Sequence, residues 1–359
     1  MTATASISEL RAPSIGPFQL RTPFVQAALS GYSDWPMRVL ARRFGASYAL
    51  CEVLLDQFVL QLKGRERTKH HLKVTADEHP VGGQLMGSSP EEFGPAAVRL
   101  MEAGFSVIDI NFGCPVKKVL GRCRGGYHLS QPAVALEIVR RVRDSLPDSV
   151  PVTLKMRRGI DDSAESRDRF FEILDGAFAA GVSAITVHGR TVEQKYIGPS
   201  RWSFLREVKD HVGDRTILGS GDLFSAQACL DMMRETGVDG VTIARGAIGN
   251  PWIFQQAEAL WNGEPLPPPP TVHQQRDVLE HHFALALETY GPERCTTPMR
   301  KFGVKYAKLH PQLDQVRAAF CIVKTPADWA AVLRTHYASD GPGQYPDVDD
   351  SASGESCEV

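Results

Sequence analysis

The sequence predicts a (β/α)8 barrel followed by a small C-terminal helical domain, and three observations carry that prediction. Eight short apolar runs recur, at residues 24–28, 48–52, 81–85, 107–111, 152–156, 184–188, 216–219 and 240–243. They are nearly all-apolar rather than alternating, as expected of parallel strands buried on both faces. Most are followed by a segment of helical periodicity, and the alternation ends at a proline-rich stretch, which is the order and size of a closed barrel. A doubly wound sheet is the alternative, but no Gly-x-Gly-x-x-Gly follows an early strand.

Helix signals stand between the strands. Ser89-Pro90-Glu91-Glu92 reads as a capping box with Pro in the first helical position, leading into an apolar stripe of Phe93, Ala97, Leu100 and Met101 that stops at Gly104. A second helix starts near Ser130, with Ala135, Ile138, Val139, Val142 and Leu146 on one face. A third runs from Ser225 to Gly237. Residues 54–72 lack a clean stripe. These signals divide the chain into an N-terminal extension (1–16), the barrel (17–261), a stiff linker (262–272) containing Pro267 to Pro270, and a helical domain (273–337). Within the last, helices are expected at 273–290, 297–308 and 326–337. Residues 338–359, rich in Gly, Ser, Pro and Asp, read as a disordered acidic tail.

Composition narrows the function classes. With 43% hydrophobic and 23% charged residues the chain is neither disordered, collagen-like nor coiled-coil, and no apolar run approaches the roughly 20 residues of a membrane span. Its start has neither a basic segment nor an apolar one, so no signal peptide is expected. Seven Cys without a Cys-x-x-Cys pair imply neither a disulfide framework nor a zinc site, and the reading is a reduced, cytoplasmic protein without a metal. The net charge of −2 conceals an asymmetry. The tail holds six acids and no Lys or Arg, whereas residues 294–324 hold seven basic residues and one acid, Asp314.

In such a barrel chemistry sits at the C-terminal ends of the strands. Those ends bring Ala28-Leu29-Ser30, Gln84, Asn111 with Cys114, Lys155, His188, Ser220-Gly221-Asp222 and Ala244-Arg245 to one mouth. The small residues at 28–30 let a flat ring approach the backbone. The last two loops fall where barrels bind phosphate, or they only make tight turns. Lys155 and His188 can offer charge or hydrogen bonds to an isoalloxazine ring, Gln84 to its N3/O4 edge. Lys155 is otherwise an ion-pair partner, His188 a satisfied neutral histidine, and Gln84 a loop tie. Cys114, between Gly113 and Pro115, is a nucleophile, a general acid or a small buried hydrophobe.

On Gln84-Leu85-Met86-Gly87, Asp109-Ile110-Asn111-Phe112-Gly113-Cys114-Pro115, Lys155-Met156-Arg157, His188-Gly189-Arg190-Thr191 and Gly246-Ala247-Ile248-Gly249-Asn250-Pro251-Trp252, the chain resembles the tRNA-dihydrouridine synthases over about residues 17–337. The resemblance implies an FMN-dependent enzyme that reduces uridine in tRNA, with NADPH (or NADH) as reductant. It implies Cys114 as proton donor, Gln84, Lys155 and His188 as flavin contacts, and Ser220, Gly221, Asp222, Ala244 and Arg245 at the phosphate. Three places depart from the family pattern: Ala28-Leu29-Ser30, Ser220, and the segment Arg124 to Leu129 after the Cys.

RNA binding has support of its own in two clusters of basic residues, each by itself an ordinary solvated face but together, if both flank one pocket, an RNA surface. Lys117, Lys118, Arg122 and Arg124 follow Cys114, Arg157 and Arg158 end the fifth strand, and Lys301, Lys305 and Lys308 share a helical face beside Arg300. Asn111 is expected at the pyrimidine edge and Arg190 on the RNA side. Rival readings are an FMN oxidoreductase on a free pyrimidine, a non-catalytic RNA-binding protein, and an aldolase-type barrel with Lys155 as a Schiff base.

Overall fold

The computed structural model describes residues 11–62 and 68–346. A hairpin, β1 (Ser14–Ile15) and β2 (Phe18–Gln19), precedes the first barrel strand, β3 (Phe24–Gln26). There follow α1 (Trp35–Arg43), β4 (Tyr48–Leu50), the short β5 (Leu54–Leu55), α2 (Asp56–Gln61), β6 (Val81–Met86), α3 (Pro90–Glu102) and β7 (Val107–Phe112). Next come α4 (Lys117–Leu120), α5 (Pro132–Asp144), β8 (Val152–Arg157), α6 (Ala164–Ala179), β9 (Ala184–His188) and α7 (Trp202–Val212). The barrel ends with β10 (Ile217–Ser220), α8 (Ala226–Thr236), β11 (Gly240–Ile243) and α9 (Trp252–Trp261). All pairings in the large sheet are parallel. The order β3-β4-β6-β7-β8-β9-β10-β11 closes where β11 meets β3, so the chain is a TIM barrel. The segment without a helical stripe supplies β5, which only extends the edge of β6 by pairing Leu54 with Leu85.

Local chemistry accounts for most boundaries. Ser225 caps α8 by accepting from Ala228 N at 3.1 Å, and Gly237 ends it at φ +73°, a conformation only glycine adopts freely. The expected capping box of α3 does not form: Pro90 holds the first position, but Ser89 Oγ donates to Glu91 Oε2 at 2.8 Å instead of capping. The first strand is shorter than expected. Ala27 N still donates to Ile243 O, after which Ala28 to Gly31 leave the sheet and become cleft rim.

The lumen is graded. Ile15 and Leu20 of the hairpin join Val25, Leu50, Val107 and Leu218 in an apolar floor, so the expected N-terminal extension contributes part of the barrel plug. Above it lie buried Gln84, Asp109 and Thr153, neighbours in register, and two residues further along their strands Asn111 and Lys155, with Thr186 beside Lys155. The strand register sets this order, because residues two apart on one strand share a face.

After an extended stretch from Asn262, α10 (Val272–Tyr290), α11 (Thr296–Tyr306), α12 (Leu313–Cys321) and α13 (Pro326–His336) form the helical domain, α12 being a helix that sequence reading did not place. It seats directly on the barrel. Tyr290 Oη donates to Asp34 Oδ2 at 2.7 Å, Lys301 Nζ to Gly31 O at 3.2 Å, and Tyr32 packs edge-on against Phe302. Gly249, at φ +66°, lies so close to α11 that a Cβ there would stand 2.5 Å from the carbonyl carbon of Lys305.

Residues 338–346 differ from the disordered tail expected of them. Gly341 O accepts from Val272 N at 3.0 Å, Asp340 Oδ1 from His273 N at 2.9 Å, and Gln344 N donates to Leu309 O at 2.9 Å. These bonds satisfy the start of α10 and the turn after α11. The expectations for residues 347–359 and 1–10 lie outside the described residues. Among the described residues no helix is long and apolar enough to cross a membrane.

Candidate active site

A cleft opens at the C-terminal ends of the strands. Ala28, Leu29, Ser30, Gln84, Asn111, Cys114 and Lys155 line one part of it, and His188, Ser220, Gly221, Asp222, Ala244 and Arg245 the other. Sequence reading missed Val53, Tyr196, Leu223 and Phe224, which also line it. Tyr196 carried a signal: it follows His188 in the same strand-end loop.

The Cys114 loop is held from below. Asn111 Oδ1 accepts from Gly113 N at 2.9 Å and Cys114 N at 3.1 Å, and Asn111 Nδ2 donates to Gln84 Oε1 at 2.7 Å. Both oxygen lone pairs are thus taken, leaving Asn111 one amide N–H for the cleft. The segment that departs from the family pattern is a 3-10 turn (Gly125–Ser130) packed on the same loop. Gly126 N donates to Cys114 O at 3.0 Å, and a Cβ on Gly125 would lie 2.8 Å from that of Cys114.

Cations gather from the end of β8 round to β11. Burial, then Arg157, lowers the Lys155 ammonium to about 8 against the pull of Asp109 and Cys114. Burial followed by the charges of Arg157, Lys155, Arg190 and Arg245 holds His188 well below the usual imidazole value, so it is neutral. Among the described residues its buried Nδ1 has no hydrogen-bond partner. Asp222 accepts from Arg190 Nη2 at 2.7 and 2.8 Å and from Ser200 N at 2.7 Å, with Arg245 at 3.6 Å. The two arginines outweigh its charge. Gly221 must be glycine, because at φ +120° a Cβ would run into Ser200.

Several basic residues expected to meet RNA are engaged inside the protein. Arg157 is 3% exposed and donates to Gly113 O, Thr191 O and Lys195 O; Arg158 is 4% exposed and bonds Gly189 O, Asp162 and Gln194. Arg190 is 1% exposed, and besides Asp222 it bonds Gly198 O at 2.8 Å. Arg124 is also buried, donating to Gln57. Buried loop carbonyls attract these guanidinium groups more strongly than solvent does. Lys117, Lys118 and Arg122 are exposed beside the Cys114 loop, while Arg300, Lys301 and Lys305 are half-buried on α11. Of these, Lys301 reaches the cleft rim at Gly31.

The donor set fits a flavin phosphate. An orphaned imidazole nitrogen, an ammonium and a guanidinium at the mouth, with a glycine cradle after β10, match a flat polar ring carrying an anionic group.

The dihydrouridine synthase (Dus) family model matches residues 25–340. A probable tRNA-dihydrouridine synthase of Mycobacterium tuberculosis is 32% identical, covering 99% of this chain and 91% of its own length. A tRNA-dihydrouridine synthase B of Xanthomonas axonopodis pv. citri is 32% identical over 94% of this chain and 99% of its own. Among solved structures, histamine dehydrogenase from Rhizobium sp. 4-9 aligns with a TM-score of 0.55 at 14% identity, covering 83% of this chain and 51% of that one. A 2-naphthoyl-CoA reductase aligns at 0.57 and 11% identity, covering 72% and 53%. This chain spans about half the length of those two structures, and at such identities the likeness shows the fold alone.

Proposed function

The chain belongs to the dihydrouridine synthase family, and from that premise we propose that it reduces the C5–C6 double bond of uridine in tRNA, using FMN re-reduced by NADPH. Bound FMN would supply the hydride that adds to C6. The protein's residues do the rest. Lys155, His188 and Gln84 hold the ring, with the neutral imidazole free to donate or accept at its unpartnered Nδ1. Ser220, Gly221, Ala244 and Arg245 hold the phosphate, while Arg190 keeps the Asp222 carboxylate from repelling it. The free amide N–H of Asn111 faces the pyrimidine edge. Negative charge develops across C5 and O4, and Cys114 delivers the proton to C5.

The observation that carries this reading is the Asn111-held Cys114 loop standing over the same cleft as Lys155 and His188. The target base must leave its stack to enter. Exposed Lys117 and Lys118 on one side and basic α11 on another suit the RNA backbone.

An anaerobic absorption experiment tests the proposal. Flavin bands should bleach with NADPH and return on adding unmodified tRNA, with dihydrouridine detected in the product. Re-oxidation by free uracil but not RNA would replace this with the free-pyrimidine reading. A protein that stays colourless with added FMN would replace it with the non-catalytic one.

A further inference from the structure

The side-chain amides beneath Cys114 form a chain with one direction, fixed at one end by backbone N–H groups of the Cys114 loop and at the other by a buried carboxylate. Asn111 Oδ1 accepts two backbone N–H groups, so its Nδ2 must face Gln84. Gln84 therefore presents Oε1 to Asn111 and Nε2 to Asp109, to whose Oδ2 it donates at 2.8 Å. The other oxygen of Asp109 accepts from Thr153 Oγ1 at 2.6 Å. Asp109 is 2% exposed, and its row on β6, β7 and β8 is fixed by the pairings Gln84 with Asp109 and Asp109 with Thr153. Lys155 is the nearby cation, and burial raises the carboxyl to about 6.

We propose that Asp109 is a positioning residue that sets the placement of Cys114 through Gln84 and Asn111. Its functional meaning rests on the reading of Cys114 as the proton donor. An acceptor at position 109 anchors the Nε2 end of Gln84, as the Asn111 amide anchors its Oε1 end. If Gln84 turned over, its NH2 would face the NH2 of Asn111, two donors in contact. Asn111 would then have to turn as well, and the N–H groups of Gly113 and Cys114 would lose their acceptor. The choice is close to two-fold, because a side-chain amide presents either its oxygen or its NH2 to a given neighbour. The same turn changes what Gln84 offers the cleft, so one buried carboxylate governs both the loop and the side chain expected at the ring edge.

The test compares Asp109→Ala with Asp109→Asn. Asn can still accept from Gln84 while its NH2 donates to the Thr153 hydroxyl, which donates and accepts equally well. Asp109→Asn should therefore stay near wild type. Asp109→Ala should lower kcat by about 10- to 100-fold, the scale of a misplaced reacting group, with little change in KM for tRNA. Alkylation of Cys114 by iodoacetamide, followed on its own peptide by mass spectrometry, should change rate several-fold in Asp109→Ala and not in Asp109→Asn. Asn111→Ala should give the same losses, and the double variant no more. Wild-type turnover and alkylation in Asp109→Ala would overturn the proposal, as would losses that multiply in the double variant, or equal damage from Asn and Ala. If Asp109→Ala fails to fold, Gln84→Met cuts the chain one link higher and must produce the same alkylation change. Alkylation needs no substrate, so it judges the relay even if tRNA proves not to be reduced.

Discussion

The loop carrying Cys114 and the loops after β9, β10 and β11 border one cleft, and apart from Arg157, which bonds Gly113 O as well as Thr191 O, different interactions hold them. Beneath Cys114 are neutral amides, Asn111 and Gln84, ending on one buried carboxylate. Around His188 and Asp222 are guanidinium groups, with Arg190 paired to Asp222 and Arg157 and Arg158 fastened to loop carbonyls. Amides fix geometry at little electrostatic cost, whereas a buried ion pair resists disruption because the survivor is left charged. Changes on the amide side should therefore appear in rate, and changes on the charged side in stability and cofactor retention.

The largest effect that would test this division is Cys114→Ala. Turnover of tRNA should fall by about 10²- to 10⁴-fold, the usual contribution of an acid or base, while flavin absorbance per protein stays at the wild-type level. Parallel loss of flavin would erase the distinction. Arg190→Met should act oppositely. Breaking a fully buried pair costs roughly 3–5 kcal/mol; the loss here should be smaller, since the Asp222 side chain is 23% exposed and Arg245 remains 3.6 Å from it. A lower melting temperature and weaker flavin binding should follow; an unchanged melt would mean that the pair does not hold this wall.

A smaller effect comes from Lys155. Its ammonium is lowered to about 8 in the folded protein from 10.5, so flavin affinity of the apoprotein should decline as pH rises through about 8, and Lys155→Met should flatten that decline. Stability runs the other way. Between about 8 and 10.5 the unfolded chain binds more protons at this site than the folded one, so this group's contribution rises with pH over that window. Titrations of flavin binding and of thermal melting across it check both signs. The smallest effect belongs to Lys117→Ala with Lys118→Ala. If both meet phosphates, the slope of log affinity against log salt should fall by about 1.5, at 0.7–0.9 per contact, with kcat at saturating RNA unchanged. An unaltered slope would remove α4 from the RNA surface.

The barrel was legible because its strands are buried on both faces and read as apolar runs, and because a strand-end rule points to one mouth. Gln84, Asn111, Cys114, Lys155 and His188 could be gathered in that way. The fate of Arg157, Arg158 and Arg190 could not. A basic residue at a strand end either reaches solvent or is claimed by carbonyls such as Thr191 O and Gly198 O, and those come from turns that leave no mark in composition. Residues 338–346 were misread for a similar reason: a Gly- and Pro-containing segment can be ordered entirely through its backbone, as Gly341 and Gln344 are. Tyr196 lies beyond the reach of the strand-end rule, in a loop that folds back over Arg157 and Arg245.

The close seat of Gly249 against α11 has a consequence for how the molecule comes apart. With Tyr290 tied to Asp34, Lys301 tied to Gly31 and no room even for a methyl group at Gly249, the helices cannot swing away without disturbing the barrel rim. The two parts should melt in a single calorimetric transition. A helical domain grafted from a relative should then require glycine at this joint before the chimera regains that cooperativity.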